Sequence, residues 1–225
     1  MFRGGQRIPA GYHHDDHQSE KSGMYLAINN QNPQLRLIRK AVDVLRDGGI
    51  IIYPTDTVYG LGCDLFNKRG IEKIYEIKRR SKKQPLSFVC ADLKDISRYA
   101  KVSNYAYKTM KRLLPGPYTF ILEASRLVPK IILPKRQTTG IRVPDNQICL
   151  SLVGELGHPI ISTSVTTEAG GVLSDPSEIK EKFSHCVDLI IDGGILVSEP
   201  SSVVSLVDDT IEIIRAGKGD VSTLM

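Results

Sequence analysis

The sequence predicts an α/β fold: a single domain in which a twisted, mixed β-sheet is flanked by helices. Three observations predict it. Short apolar, β-branched runs alternate with segments whose apolar residues recur at three- and four-residue intervals, the pattern of strands followed by helices. The last third breaks that alternation with two strand-like runs flanking Asp208-Asp209, which reads as a hairpin, so the sheet is not purely parallel. From Met24 onward no linker, repeat or change of composition divides the chain, and 225 residues with 41% hydrophobic content suffice for one sizeable core.

The elements follow in order. Residues 1–23 are rich in Gly, His, Asp, Gln and Ser and have no apolar period. They read as a disordered extension, or as sequence upstream of a start at Met24, ahead of a domain spanning 24–225. His13, His14 and His17 belong to that solvated tail rather than to a metal site. Pro33 to Arg46 carries Leu35, Ile38, Ala41, Val42 and Leu45 on one helical stripe, and Gly48-Gly49 stops it. Ile50 to Tyr53 is a buried strand. It runs out into Pro54, Thr55, Asp56 and Thr57, small polar groups at a strand's carboxyl end, where open α/β sheets bind ligands. Asn67 caps a helix reaching Lys78. Leu86 to Ala91 is a strand. Asp92 caps a short helix, and Asn104 to Leu114 forms another, ended by Pro115-Gly116-Pro117.

Tyr118 to Glu123 and Thr139 to Val143 are strands, and Val128 to Pro134, bracketed by prolines, is left open. Asn146 to Leu156 is a helix with Ile148, Leu152 and Leu156 on one face. Pro159 to Val165 is a strand ending in hydroxyls. Asp175-Pro176 opens a helix in the Ncap–N1 order. Val187 to Ile191 is a strand ending in Asp192-Gly193-Gly194, and Val203–Val207 and Thr210–Arg215 are the arms of the hairpin.

Composition excludes several function classes. The formal charge of +5 fits an anionic small ligand, RNA or neither. No apolar run of about 18 residues predicts a membrane span, and no secretory signal is readable. The four cysteines are widely spaced and form no CxxC pair, which predicts buried, reduced thiols and a cytoplasmic protein rather than a zinc site. There is no GxGxxG, Walker A loop, HExxH or GxSxG. A reaction on this chain would rest on positioning and electrostatics rather than on a covalent nucleophile.

Two features could carry chemistry. The run Lys78-Arg79-Arg80-Ser81-Lys82-Lys83 is a solvated helix end favoured by the helix dipole, a phosphate clamp or an RNA-facing patch. Arg142, between Ile141 and Val143, needs a partner, either an internal carboxylate or the carboxylate of a ligand.

These motifs, taken together, resemble the YrdC/YciO family. Tyr53 to Gly62 resembles its opening signature, and Lys78-Arg79-Arg80 its Lys-x-Arg motif. Gln84-Pro85-Leu86, Pro115 to Thr119 and Gly140 to Pro144 resemble the motifs that follow. Ile190 to Gly194, Ser201 to Val204 and Arg215 to Gly217 resemble the closing ones. The resemblance implies a concave basic groove and L-threonylcarbamoyladenylate synthase activity. Threonine, bicarbonate and ATP would give threonylcarbamoyl-AMP and pyrophosphate for the t6A modification of tRNA, with Mg²⁺ on the pyrophosphate and no metal ligand on the chain.

On that basis Thr57, Arg142 and Ser202 would hold threonine. Lys78, Arg80, Gln84, Thr138, Ser164, Thr166, Ser174 and Arg215 would surround ATP. One position departs from the synthases: their Ser-x-Asn reads Ser164-Val165-Thr166 here, which resembles the YciO branch. The competing readings are a module that binds double-stranded RNA or tRNA in the same groove without chemistry, and an enzyme using that groove on another amino acid or acyl phosphate.

Overall fold

A computed structural model describes residues 22–79 and 86–224. The sequence-predicted extension thus lies outside the described residues except for Ser22 and Gly23. The strands are β1 (Met24–Ala27), β2 (Ile51–Tyr53), β3 (Gly60–Asp64), β4 (Ser87–Val89), β5 (Tyr118–Glu123), β6 (Thr138–Arg142), β7 (Ile160–Ser164), β8 (Leu189–Asp192), β9 (Ser202–Ser205) and β10 (Glu212–Arg215). The helices are α1 (Leu35–Arg46), α2 (Lys68–Ile77), α3 (Leu93–Tyr99), α4 (Asn104–Leu113), α5 (Gln147–Leu156) and α6 (Pro176–Phe183).

One sheet holds all ten strands in the order β1-β8-β2-β3-β7-β4-β6-β5-β9-β10. It is mixed, as read from the sequence: β1/β8, β2/β8, β4/β6 and β5/β9 pair parallel, and the other neighbours antiparallel.

Helix starts are fixed by side chains that satisfy otherwise orphaned backbone donors. Asn67 accepts from the Gly70 amide at 3.0 Å, Ser103 from Ala106 at 3.0 Å, Asn146 from Cys149 at 3.0 Å and Asp175 from Ser177 at 2.8 Å. The hairpin arms, β9 and β10, pair antiparallel, with Asp208 and Asp209 both at positive φ in the connection. Val128–Pro134 contains a single 3₁₀ turn, Lys130–Ile132.

Two strands differ from the sequence reading. β1 is a four-residue edge strand beside β8, too short and too little buried to show a period. β3 is Gly-Leu-Gly-Cys-Asp, a segment given no element in the sequence reading, and glycine disfavours strands. Here the glycines serve close packing: a Cβ at Gly62 would lie 2.7 Å from Ile160 Cγ2 and 3.0 Å from Tyr53 Cε1.

Side-chain alternation divides the sheet into two faces. Ile52, Leu61, Phe88, Phe120, Ile141, Ile161, Ile190 and Val204 point to a core closed by α2, α3, α4 and α6. On the opposite face, Ile51, Tyr53, Val89, Ile160, Leu189 and Ile191 pack under α1 and α5. Those two helices cover only part of that face. Across β3, β7, β4, β6 and β5 the cross-strand neighbours are Gly62, Ser162, Ser87, Gly140 and Ile121, a row of mostly small residues. The candidate site lies over this row.

Candidate functional site

A cavity of about 280 Å³ opens over the small-residue row, lined by Tyr59, Gly60, Ser87, Thr119, Ile121, Arg142, Ser162, Ser164, Ser201, Val203 and Arg215 among others. Its floor is low because it is made of glycine and serine. A Cβ at Gly140 would stand 2.9 Å from Ser87 Oγ and 3.2 Å from Thr119 Cγ2, and one at Gly60 would stand 3.0 Å from Ser162 Oγ. The cavity therefore sits on the sheet's face, not beyond the carboxyl ends of its strands as expected. In a mixed sheet those ends do not share an edge.

The polar groups of the floor and walls are tied to one another. Tyr53 donates its hydroxyl to Ser162 Oγ at 2.7 Å, and Thr119 Oγ1 and Ser201 Oγ lie 2.8 Å apart. Tyr59 donates to the Gly194 carbonyl at 2.7 Å and accepts from the Gly193 amide at 3.1 Å. Such cross-linking holds the donors in place before any ligand arrives.

Arg142 meets the first of the two alternatives posed by the sequence, an internal carboxylate. Its Nη2 pairs with Asp56 Oδ1 at 2.9 Å and donates to Thr57 Oγ1 at 2.8 Å. Asp56 is held in turn by the Asp145 amide at 3.1 Å. The internal ion pair thus exists, yet it uses one corner of the guanidinium. Nε is buried and has no partner among the described residues. A buried donor left unmade is costly, and a guanidinium with Nη1 still unused by these contacts has a charged donor to offer a ligand carboxylate.

Arg215 is the second cation. Its Nη2 and Nε donate to the Ser201 carbonyl at 2.8 and 3.2 Å. Burial, and then the repulsion of Arg142, pull its guanidinium below the usual arginine range. Two arginines facing one cavity with a single paired carboxylate leave it net positive, a setting that favours an anion.

The residues expected to bind fall into distinct places. Arg142, Ser164 and Arg215 line this cavity, and Thr57 lies behind it, gripping Arg142. Lys78, just past the end of α2, is not part of the cavity's lining; it donates from Nζ to the Ser164 carbonyl at 2.9 Å and to Thr166 Oγ1. Thr166 therefore serves as an acceptor for Lys78 and lines a neighbouring cavity with it. Thr138 lines an adjoining cavity of about 1070 Å³ that shares Ile121 and Val203 with the first.

Ser174 is absent from the lining, and its carbonyl accepts from the Leu196 amide at 3.1 Å. Ser202 is fully buried on the other side. Its hydroxyl donates to the Gly219 carbonyl at 2.5 Å and accepts from the Gly217 amide at 2.9 Å, while its neighbour Ser201 faces the cavity. Arg80 and Gln84 lie outside the described residues.

Sequence reasoning missed Ser87, Gly60 and Ser201 as lining groups. The signal was available in the alternation: Ser162 and Ser164, or Gly140 and Arg142, are two apart and so share a face. The expected reduced thiols are present: Cys63, Cys90 and Cys149 are buried and Cys186 is half-buried, all four free. Burial pushes the Cys63 thiol up to about 12, so it is inert at neutral pH. Among the described residues no group of three or more His, Cys, Asp or Glu side chains could hold a metal, and no helix is long and apolar enough to cross a membrane.

The chain can now be compared with known proteins. The Sua5/YciO/YrdC family model, described as "Telomere recombination", matches residues 43–217. YciO of Escherichia coli K12, an uncharacterized protein, is 42% identical over 89% of this chain and 98% of its own length. Its crystal structure superposes with a TM-score of 0.87 over 90% of this chain and 100% of that one. A putative threonylcarbamoyl-AMP synthase of Methanocaldococcus jannaschii is 33% identical over 84% of this chain and 89% of its length. P. abyssi Sua5, crystallised with L-threonine, is 27% identical with a TM-score of 0.84, over 89% of this chain and 59% of that one. The α/β domain with its half-covered mixed sheet belongs to the Sua5/YciO/YrdC family.

Proposed function

We propose that the chain binds L-threonine and ATP over the open half of its sheet and joins them with bicarbonate as threonylcarbamoyl-AMP, releasing pyrophosphate for t6A modification of tRNA in the cytoplasm. The observation that carries this reading is Arg142: a buried guanidinium with one corner held by Asp56 and Thr57 and donors left over. A ligand carboxylate would accept from Nη1, the corner that the Asp56 and Thr57 contacts leave unused, and would meet the guanidinium's charge there.

The rest of the chemistry follows from charge. The threonine amine captures CO₂ as a carbamate, and a carbamate oxygen attacks the α-phosphate of ATP. The threonine carboxylate, the carbamate, ATP and pyrophosphate are all anionic, so Arg142, Arg215 and Lys78 would lower the cost of bringing them together. The hydroxyls of Ser87, Thr119, Ser162 and Ser201 would orient the ligands by hydrogen bonds. The adjoining cavity with Thr138 offers room for the rest of a nucleotide. Mg²⁺ would enter with ATP and offset the charge of the pyrophosphate.

A second reading, binding without turnover, is favoured by one observation. Lys78 Nζ is engaged by Thr166 Oγ1 and the Ser164 carbonyl. Threonine's hydroxyl offers that lysine an acceptor but lacks the amide N–H donors that an asparagine would add.

The test is pyrophosphate release with ATP, bicarbonate and threonine, each omitted in turn. Release that requires all three supports synthesis. Nucleotide binding without threonine-dependent release leaves the binding reading, and no binding of either ligand overturns both.

A further inference from the structure

We infer that the exposed face of α4, remote in the fold from the open half of the sheet, docks a single-stranded stretch of nucleic acid. Helix α4 packs on the opposite face of the sheet through Ala106, Thr109 and Met110. Its outer face carries Tyr105, Tyr107, Lys108, Lys111 and Arg112, all exposed. No acidic residue lies in the helix, and none of the three cations is in an ion pair among the described residues.

Lys108 stands three residues from Lys111 and four from Arg112, so like charges face one another along one stripe, an arrangement that costs stability on its own. The helix dipole accounts for cations in the last turn but not for Lys108 or for the tyrosines. The bias extends beyond the helix. Residues 98–136 hold nine Lys and Arg against one Glu, a formal +8, whereas the whole chain is +5 and the remainder is therefore net negative.

The aromatic groups choose the class of polyanion. Tyr105 and Tyr107 are 42% and 43% exposed, and Lys111 Nζ lies 5.9 Å from the Tyr107 ring. Two residues apart, the rings flank the cationic stripe on opposite margins, where unpaired bases stack on either ring while phosphates meet the ammonium and guanidinium groups between them. A membrane surface is disfavoured because α4 exposes no Leu, Ile, Phe or Trp to enter the acyl region. Duplex would present its phosphates but no free base faces to the tyrosines.

The experiment is fluorescence anisotropy of a labelled, mixed-sequence single-stranded RNA against the full chain over a salt series. The combined variant Lys108→Glu, Lys111→Glu and Arg112→Glu should bind about tenfold or more weakly and flatten the log–log salt slope by about 2, the share of three phosphate contacts. Tyr105→Ala with Tyr107→Ala should weaken binding about tenfold and leave the slope unchanged, because stacking releases no counterions. Equal affinity of wild type and both variants overturns the inference. So does a duplex of the same sequence bound as tightly as the single strand, or binding to phosphatidylserine vesicles without binding to RNA. Pyrophosphate release by the charge-reversed variant is read alongside: α4 lies outside the cavity, so release should persist at the wild-type rate, and the two proposals stand or fall separately.

Discussion

The same face of one sheet is built in two ways. Under α1 and α5 it presents Ile51, Tyr53, Val89, Ile160, Leu189 and Ile191, packed dry against Ile38, Leu45, Leu152 and their neighbours. Across β3, β7, β4, β6 and β5 it presents glycine, serine and threonine, with Arg142 and Arg215 at the edges. The boundary is Tyr53, whose ring packs over Gly60 and Gly62 and whose hydroxyl donates to Ser162. The backbone period is the same on both sides, so side-chain size and polarity alone decide where a helix lands and where a ligand can. Helix packing needs large apolar side chains to remove from water. A row of small polar groups offers no such gain and leaves a space with its donors already fixed.

That contrast can be broken in graded ways. The largest effect is expected from Arg142→Met. It strands the nearly buried Asp56 carboxylate, so denaturant titration should show a loss of about 4 kcal/mol, and threonine-dependent pyrophosphate release should vanish. Leu152→Ala, on the covered half, should cost about 3 kcal/mol by leaving a cavity under α5. Ligand affinity, measured by calorimetry, should not change. Gly140→Val, on the open half, should reverse that pattern. Its side chain rises into the cavity floor near Ser87 and Thr119, costing about 1–2 kcal/mol through overpacking while threonine affinity falls at least about tenfold. The smallest effect on stability, within about 0.5 kcal/mol, is expected from Thr166→Asn, which should raise the rate of pyrophosphate release if the missing amide limits turnover.

The covered half was legible in the sequence because its signals are long and redundant. The α1 stripe, the Asn146 cap and the apolar β8 run each state their burial several times over. The open half was legible only in part. Arg142 was found because a guanidinium between two apolar neighbours needs a partner, but that its partner is Asp56 depends on a loop closing over 86 positions. β3 was missed because its glycines, chosen for the close approach of Tyr53, erase the local preference for a strand. Ser202 was expected in the site and Ser201 occupies it. Which of two adjacent serines faces a cavity is set by the register of β9 on β5, where Ser202 opposes Tyr118.

In the proposed function the guanidinium of Arg142 does two jobs, holding Asp56 with one corner and a ligand carboxylate with the donors left over. Arg142→Lys separates them, because lysine keeps the charge for Asp56 but concentrates its donors on one nitrogen and has no separate Nη1 to offer a ligand. The direct measurement is calorimetric titration of L-threonine into wild-type and Arg142→Lys protein, with melting temperature recorded for both. The variant should stay folded, and its affinity for threonine should fall at least about tenfold. Equal affinity in the two proteins would contradict the assignment of Arg142 to the ligand and leave it a structural ion pair alone.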